Sequence, residues 1–302
     1  EHFPYLASNV LAVLHARRCG WFSAQLLGML MLEQARALGV RLLSGRVEAV
    51  DLRGGQVCGV RVRQAESETQ IATSIFVNAA GPLLDVVARQ LGVELPVHCE
   101  RHLKMAFSDH LGVVPRHAPF LVWADPQRLP WDDEERAWLA ESEETRWLLD
   151  EFAAGVHTRP DGPADSPILL MLWDYHARPA PLVLPTPLDD AFPDLVLRGL
   201  STMLPGLRAY FGRAPRPSLD GGYYTKTPEN RPLIGPCGPR GAFVIGALSG
   251  YGIMAAPAAG DLLARHISGQ ALPAHAAWFL PARYADPAYQ TLLAKWGDTG
   301  QL

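Results

Sequence analysis

The sequence predicts a mixed α/β (α+β) protein built as two interleaved domains, and three observations carry that reading. Two alternating strand-like runs flank Gly54-Gly55, a hairpin signal. A continuously apolar run, TSIFVNAAG, ends in the small residues Ala79, Ala80 and Gly81, as buried strands do where something approaches closely. Near the C-terminus, GAFVIGALSG reads as a strand that passes directly into a glycine-rich turn and an alanine-rich helix, GALSGYGIMAAPAAGDLLA. Residues 96–221 differ in character, so the flanking pieces read as one domain interrupted by another.

Composition narrows the function. The chain has 302 residues, 48% hydrophobic and 19% charged, enough for a sizeable core. The net charge is -4 and the basic residues are dispersed, which argues against nucleic acid and anionic membrane surfaces. No apolar run reaches the roughly 18 residues that a membrane span needs. Cys19, Cys58, Cys99 and Cys237 form no C-x-x-C pair and read as buried reduced thiols. The opening EHFPYLASNVLAVLH lacks an initiator Met and a signal-peptide pattern, so an N-terminal portion is expected to precede it. The compartment is cytoplasmic by default, since targeting information would lie in that portion.

Each element has its own justification. From Trp21, apolar residues recur at three- and four-residue spacing (Leu26, Leu27, Leu30, Met31, Ala35, Leu38) until Gly39, which predicts a helix. VRLLSGRVEAVDLR and VCGVRVRQA are the hairpin strands. His98 to Phe107 reads as a strand, and Asp132 to Phe152 as one acidic amphipathic helix offering Trp138, Leu139, Trp147, Leu148 and Phe152 on a face. RPDGPADSP and ARPAPLVLPTP are proline-rich connections around the strand ILLMLWDYH. Asp189 to Leu204 is a helix closed by Pro205-Gly206, and the tail after Gly269 reads as a packed extension.

The glycine-rich turn has a physical use. A helix start leaves several N–H groups unpaired and its dipole favours negative charge. Gly250 and Gly252 would let the backbone approach a ligand, and Pro257 would sit where its missing N–H costs little. The spacing is not G-x-G-x-x-G, and no acidic residue follows about 20 residues on, so this is not the pyrophosphate loop of a dinucleotide-binding unit.

Taken together, these segments resemble the flavin-dependent D-amino acid oxidase superfamily, which includes glycine oxidase, sarcosine oxidase and dimethylglycine dehydrogenase. YYTKTPENRPLIGP is similar to that family's strand and turn before the flavin, and GALSGYGIMAAPAAGDLLA to the element that follows. RLLSGRVEAVD and SIFVNAAGP resemble its adenine-contacting hairpin and a second FAD-contacting strand. The resemblance implies a two-domain FAD-binding oxidoreductase fold. A partial Rossmann-like FAD domain (1–95 and 222–270) would interleave with an antiparallel-sheet substrate domain (96–221), followed by an extension (271–302). The family's N-terminal strand–G-x-G-x-x-G–helix is missing from this sequence.

The resemblance also implies residue roles. Gly250, Tyr251, Gly252, Ile253 and Met254 would direct backbone groups at the flavin N1–C2=O edge, where reduction leaves negative charge. Val47 would meet the adenine through its backbone, and Ala80 and Gly81 the pyrophosphate or ribose. FAD would be held non-covalently, because Gly222 stands near the place of the cysteine that bonds flavin in sarcosine oxidases. Tyr224 occupies the place of the family's carboxylate-anchoring arginine. Lys226, on the same strand face, could supply that cation or be solvated. Met171 stands where sarcosine oxidase has an oxygen-activating lysine, which favours a dehydrogenase over an O2-using oxidase.

Substrate contacts stay open on the residues alone. His102 and Lys104 share a strand face, either lining a cavity or facing solvent, opposite Arg101, Leu103, Met105 and Phe107. Trp173 and Tyr175, next to His176, either wall an amine pocket or pack a core. The loops at Pro160 and Pro181 could act as lids. The implied activity is oxidation of a C–N bond of an amino acid or a secondary or tertiary amine, with O2 or another electron acceptor. A non-catalytic FAD-fold assembly factor, or an oxidase of a hydroxy acid or sugar, are the alternatives.

Overall fold

A computed structural model of the chain describes residues 3–175 and 178–296. It divides into two units: residues 1–21, 101–178 and 183–222 form the first, and residues 22–100, 179–182 and 223–302 the second. The changes of unit fall at 100/101 and 222/223, with residues 179–182 also in the second unit. The segment 1–21, however, belongs to the first unit, and the tail after residue 270 belongs to the second.

The second unit begins with α1 (Ala24–Ala37), capped by Ser23, whose Oγ accepts from the Leu26 N–H. Its apolar positions are not buried: Leu26, Met29, Leu30 and Met31 are all exposed. Strands β1 (Arg46–Arg53) and β2 (Gln56–Arg63) turn on Gly54 and Gly55, both in the left-handed region at φ 57° and 72°. A third antiparallel strand, β3 (Glu68–Ala72), completes the sheet. Strand β4 (Phe76–Asn78) leads through a 3₁₀ turn at Gly81–Leu83 into the short helix α2 (Leu84–Arg89), which buries Leu84 and Ala88.

β5 (His98–Ser108) carries the chain into the first unit. There β6 (Leu121–Val122), β7 (His157–Pro160) and β8 (Ile168–Leu172) precede β9 (Ser218–Lys226), in the sheet order β6-β7-β8-β5-β9. The acidic stretch is not one helix. Ser142 is extended at φ -115°, ψ 139°, so α3 (Asp133–Glu141) ends and α4 (Glu143–Arg146) starts there. The Ser142 hydroxyl caps the second helix, just as Asp132 forms a capping box with Glu135 for the first. Helix α5 (Phe192–Met203) lays Leu195, Val196 and Leu200 against Met105, Phe107 and Trp173, the centre of this unit's core.

The chain re-enters the second unit within β9 and continues through β10 (Leu233–Pro236), β11 (Ala242–Gly246) and the 17-residue helix α6 (Gly252–Ser268), stopped by Gly269 at φ 68°. β11 pairs antiparallel with β10 and parallel with β4. Two 3₁₀ turns, Ala274–Phe279 and Pro281–Ala285, and helix α7 (Pro287–Leu293) form the tail. All four cysteines are free, and only Cys237 is buried; Cys19 and Cys58 are exposed. Burial pushes the Cys237 thiol up to about 11. No described helix is long and apolar enough to cross a membrane.

Candidate cofactor site

The register Val244↔Asn78 sets the C-terminal ends of β11 and β4 side by side, where both strands give way to turns. After Gly246 the left-handed conformations fall on Ala247 (φ 54°) and Ser249 (φ 50°), not on the glycines. Such conformations cost on the order of 1–3 kcal/mol each outside glycine and concentrate at ligand sites. Gly250 and Gly252 serve close approach instead. A Cβ at Gly250 would stand 2.8 Å from Cε2 of Tyr224, and one at Gly252 3.3 Å from the Leu248 Cβ.

This turn delivers the start of α6 bare. No side chain caps the helix, no acidic residue lies in its first turn, and Ile253 and Met254 are exposed. The first-turn N–H groups therefore carry their partial positive charge without a side-chain cap. Ser249 Oγ is buried without a hydrogen-bond partner among the described residues. Pro257 differs from expectation. It is the sixth residue of α6, inside the helix, where it removes the bond that would satisfy the Ile253 carbonyl.

At the end of β4, buried Asn78 shapes the neighbouring turn. Its Nδ2 donates to the Leu84 carbonyl at 2.7 Å and its Oδ1 accepts from the Ala80 N–H at 3.2 Å. Gly81 follows at φ 56°, and a Cβ there would meet nothing within 4 Å. Val47 lies beside a β-bulge of β1, and its carbonyl faces the Gln90 Nε2 at 3.5 Å. Gln90 Oε1 is buried without a partner among the described residues. Ala80, Gly81 and the 250–254 segment thus sit on adjacent turns of one small sheet, and Val47 on the neighbouring hairpin.

The two candidates on β9 have different fates. The Tyr224 ring lies on the Gly250 backbone and acts as a wall for the turn. Lys226 is buried, and its Nζ is 2.7 Å from Glu100 Oε2, with His98 Nε2 3.3 Å from the other oxygen. Its ammonium is compensated within the protein, which corrects the solvated reading.

In the first unit, His102 and Lys104 stand in different environments. His102 is buried with Nδ1 bonded to Asp174, whereas Lys104 is exposed and bridges to Asp220 at 3.0 Å. Trp173 is core, its Nε1 donating to the Ala153 carbonyl at 3.0 Å, and a Cβ at Gly199 would press into its ring. Tyr175 packs among Trp147, Phe152, Trp173 and Phe192, and burial raises its pKa. Met171 is fully buried. His176 lies outside the described residues. The loop after Pro160 is tethered by Arg116, which donates to the carbonyls of Asp161, Pro163 and Ile168.

Sequence reasoning missed one cluster. Glu229, within the T-P-E-N turn, is buried and accepts from Arg283, Tyr284 and Tyr289 of the tail. Burial alone pushes its carboxyl up, but the bonds from Arg283, Tyr284 and Tyr289 outweigh this and hold it below its ordinary value. An acidic residue beside a proline turn gives no sign of burial. Its partners stand more than 50 residues away.

Known proteins share this fold. L-proline dehydrogenase from P. horikoshii superposes with a TM-score of 0.59 at 19% identity, over 86% of this chain and 59% of that one. Iminodiacetate oxidase from Chelativorans sp. BNC1 gives 0.58 at 17%, over 85% and 58%. Glycine oxidase from Geobacillus kaustophilus gives 0.53 at 16%, over 84% and 56%. At these identities the likeness is one of fold, and the chain spans less than two thirds of each of these structures. The family model described as FAD dependent oxidoreductase matches residues 1–266. Its match covers most of the chain, which therefore belongs to the DAO family of FAD-dependent oxidoreductases.

Proposed function

We propose that the protein is an FAD-dependent oxidoreductase that oxidises a C–N bond of an amino acid or a secondary or tertiary amine. The observation that carries this reading is the bare first turn of α6, presented by the strained turn Ala247–Tyr251. Its donors, together with the unpartnered buried Ser249 Oγ, fit the acceptor-rich, charge-accepting edge of a flavin. FAD, when bound, supplies the hydride acceptor.

The chain's own residues would then do three things. The N–H groups of Gly252, Ile253 and Met254 would hold negative charge at the start of α6, worth up to about 2 kcal/mol in a partly buried helix-end geometry. Asn78 fixes the turn at Ala80-Gly81, where a lack of side-chain obstruction suits a pyrophosphate or ribose. Val47 and Gln90 would offer polar atoms to the adenine. No residue sequesters the cofactor covalently in this account. Because no protein nucleophile is needed for hydride abstraction, catalysis would consist of orienting the substrate C–H bond.

Lys226 is committed to Glu100, so a substrate carboxylate would need another anchor. The iminodiacetate, proline and glycine enzymes among the similar structures support a small amine or amino acid as the substrate class. By resemblance Met171 stands where sarcosine oxidase has an oxygen-activating lysine, which favours an electron acceptor other than O2.

The test is anaerobic mixing of the natural full-length, FAD-containing protein with a panel of amino acids and N-alkyl amines. Bleaching of the flavin absorbance by one of them is the expected result. Retained FAD with no bleaching by any of them would favour the non-catalytic alternative, which the missing cation at Tyr224 also fits.

A further inference from the structure

The contacts of Arg283 form a chain that ends at the start of α6. Its Nε and Nη2 donate to Glu229 Oε1 at 3.0 and 2.6 Å, while Nη2 and Nη1 donate to the carbonyls of Arg231 at 3.2 Å and Pro232 at 3.1 Å. Tyr284 and Tyr289 hydroxyls add bonds of 2.8 Å to the same carboxylate. One guanidinium thus holds the side chain of residue 229 and the backbone of residues 231 and 232. Between them lies Asn230, left-handed at φ 55°, whose carbonyl accepts the Tyr251 hydroxyl at 2.6 Å. Tyr251 is the residue immediately before the first turn of α6.

We propose that Arg283 is a positioning residue: through Glu229 and the Asn230 carbonyl it fixes Tyr251, and with it the N–H groups that face the flavin. This rests on reading the start of α6 as the flavin-facing site. Arg283, Tyr284 and Tyr289 all follow residue 266, where the family match ends, so the tail is assigned a part in tuning the cofactor. Two features make the chain rigid enough to transmit position. Glu229 and Arg283 side chains are 0% and 3% exposed, and two charge-assisted bonds from one planar guanidinium converge on Glu229 Oε1, which fixes its direction. Thr227 also closes the turn locally, accepting from the Arg231 N–H at 2.8 Å and donating to its carbonyl at 2.7 Å.

The measurement is the two-electron midpoint potential of FAD in the natural full-length protein and its variants. Arg283→Gln and Tyr251→Phe should each lower the potential, shifting the oxidised-to-reduced ratio about tenfold, or about 30 mV for a two-electron couple. Combined, they should shift it no further than either alone. A through-space charge effect of Arg283 would persist in the Tyr251→Phe background, so additive shifts overturn the proposal, as does an unchanged potential in Arg283→Gln. If Arg283→Gln does not fold, Tyr289→Phe loosens Glu229 without removing a charge. Its smaller downward shift should vanish in the Tyr251→Phe background, and an equal shift in both backgrounds overturns the proposal. Ile253→Asp separates the two layers. If a carboxylate in the first turn leaves the potential unchanged, the flavin site itself is misassigned. If it lowers the potential while the Arg283 and Tyr289 variants do not, only the positioning role is lost.

Discussion

The Tyr224 ring rests on the backbone of Gly250, where any Cβ would come within 2.8 Å of its Cε2. A residue that resemblance places at the substrate end of the site is thus, in the fold, the floor of the turn that leads into α6. Gly250→Ala should displace that turn and weaken FAD binding about tenfold, consistent with the ~1–3 kcal/mol of overpacked positions. Replacing the ring as well, Gly250→Ala with Tyr224→Leu, should recover most of the affinity in a fluorescence titration. No recovery would mean that the contact does not set the turn.

Lys226 and Glu100 make a buried pair, and removing the lysine takes away the cation 2.7 Å from a buried carboxylate. Lys226→Met should destabilise the protein by about 3–5 kcal/mol, and Lys226→Met with Glu100→Leu should regain most of it. Chemical denaturation checks both. A raised KM for an amino acid substrate with stability intact would instead restore Lys226 as a substrate anchor.

Glu229 gives a pH dependence of known sign. Its folded pKa is held below the ordinary 4.5, so it contributes stability that is fully present above that value. The contribution is lost as pH falls through the depressed folded pKa. Melting temperature should therefore drop as pH is lowered from 6 towards that range, and Glu229→Gln should flatten this part of the profile. A profile unchanged by Glu229→Gln would mean that the carboxylate titrates alike in both states.

How much of this was legible in the sequence follows from which forces left a local mark. The Gly54-Gly55 hairpin, β4 and the β11–turn–α6 unit were readable because turn chemistry and apolar runs are local properties. β3 escaped because Glu68–Ala72 is an exposed edge strand with no alternation to read. The break at Ser142 was hidden because Ser is tolerated in a helix, and only its extended backbone and cap show that it restarts one. At the site, Gly250 and Gly252 were read as room for a ligand, whereas in the fold they lie against Tyr224 and Leu248, and the strained positions fell on Ala247 and Ser249. The commitments of Lys226 to Glu100, His102 to Asp174 and Glu229 to Arg283 join residues 54 to 126 positions apart. No local pattern records such pairings.

The central claim, that the first turn of α6 receives the flavin, is tested most directly by the FAD dissociation constant of Met254→Glu. Met254 is exposed in that turn, and a carboxylate there favours the helix dipole, so the variant should fold at least as well as the natural protein. FAD binding should weaken about three- to tenfold, within the ~2 kcal/mol that helix-end charges reach in partly buried geometries. Equal or tighter binding in a stably folded variant would contradict it.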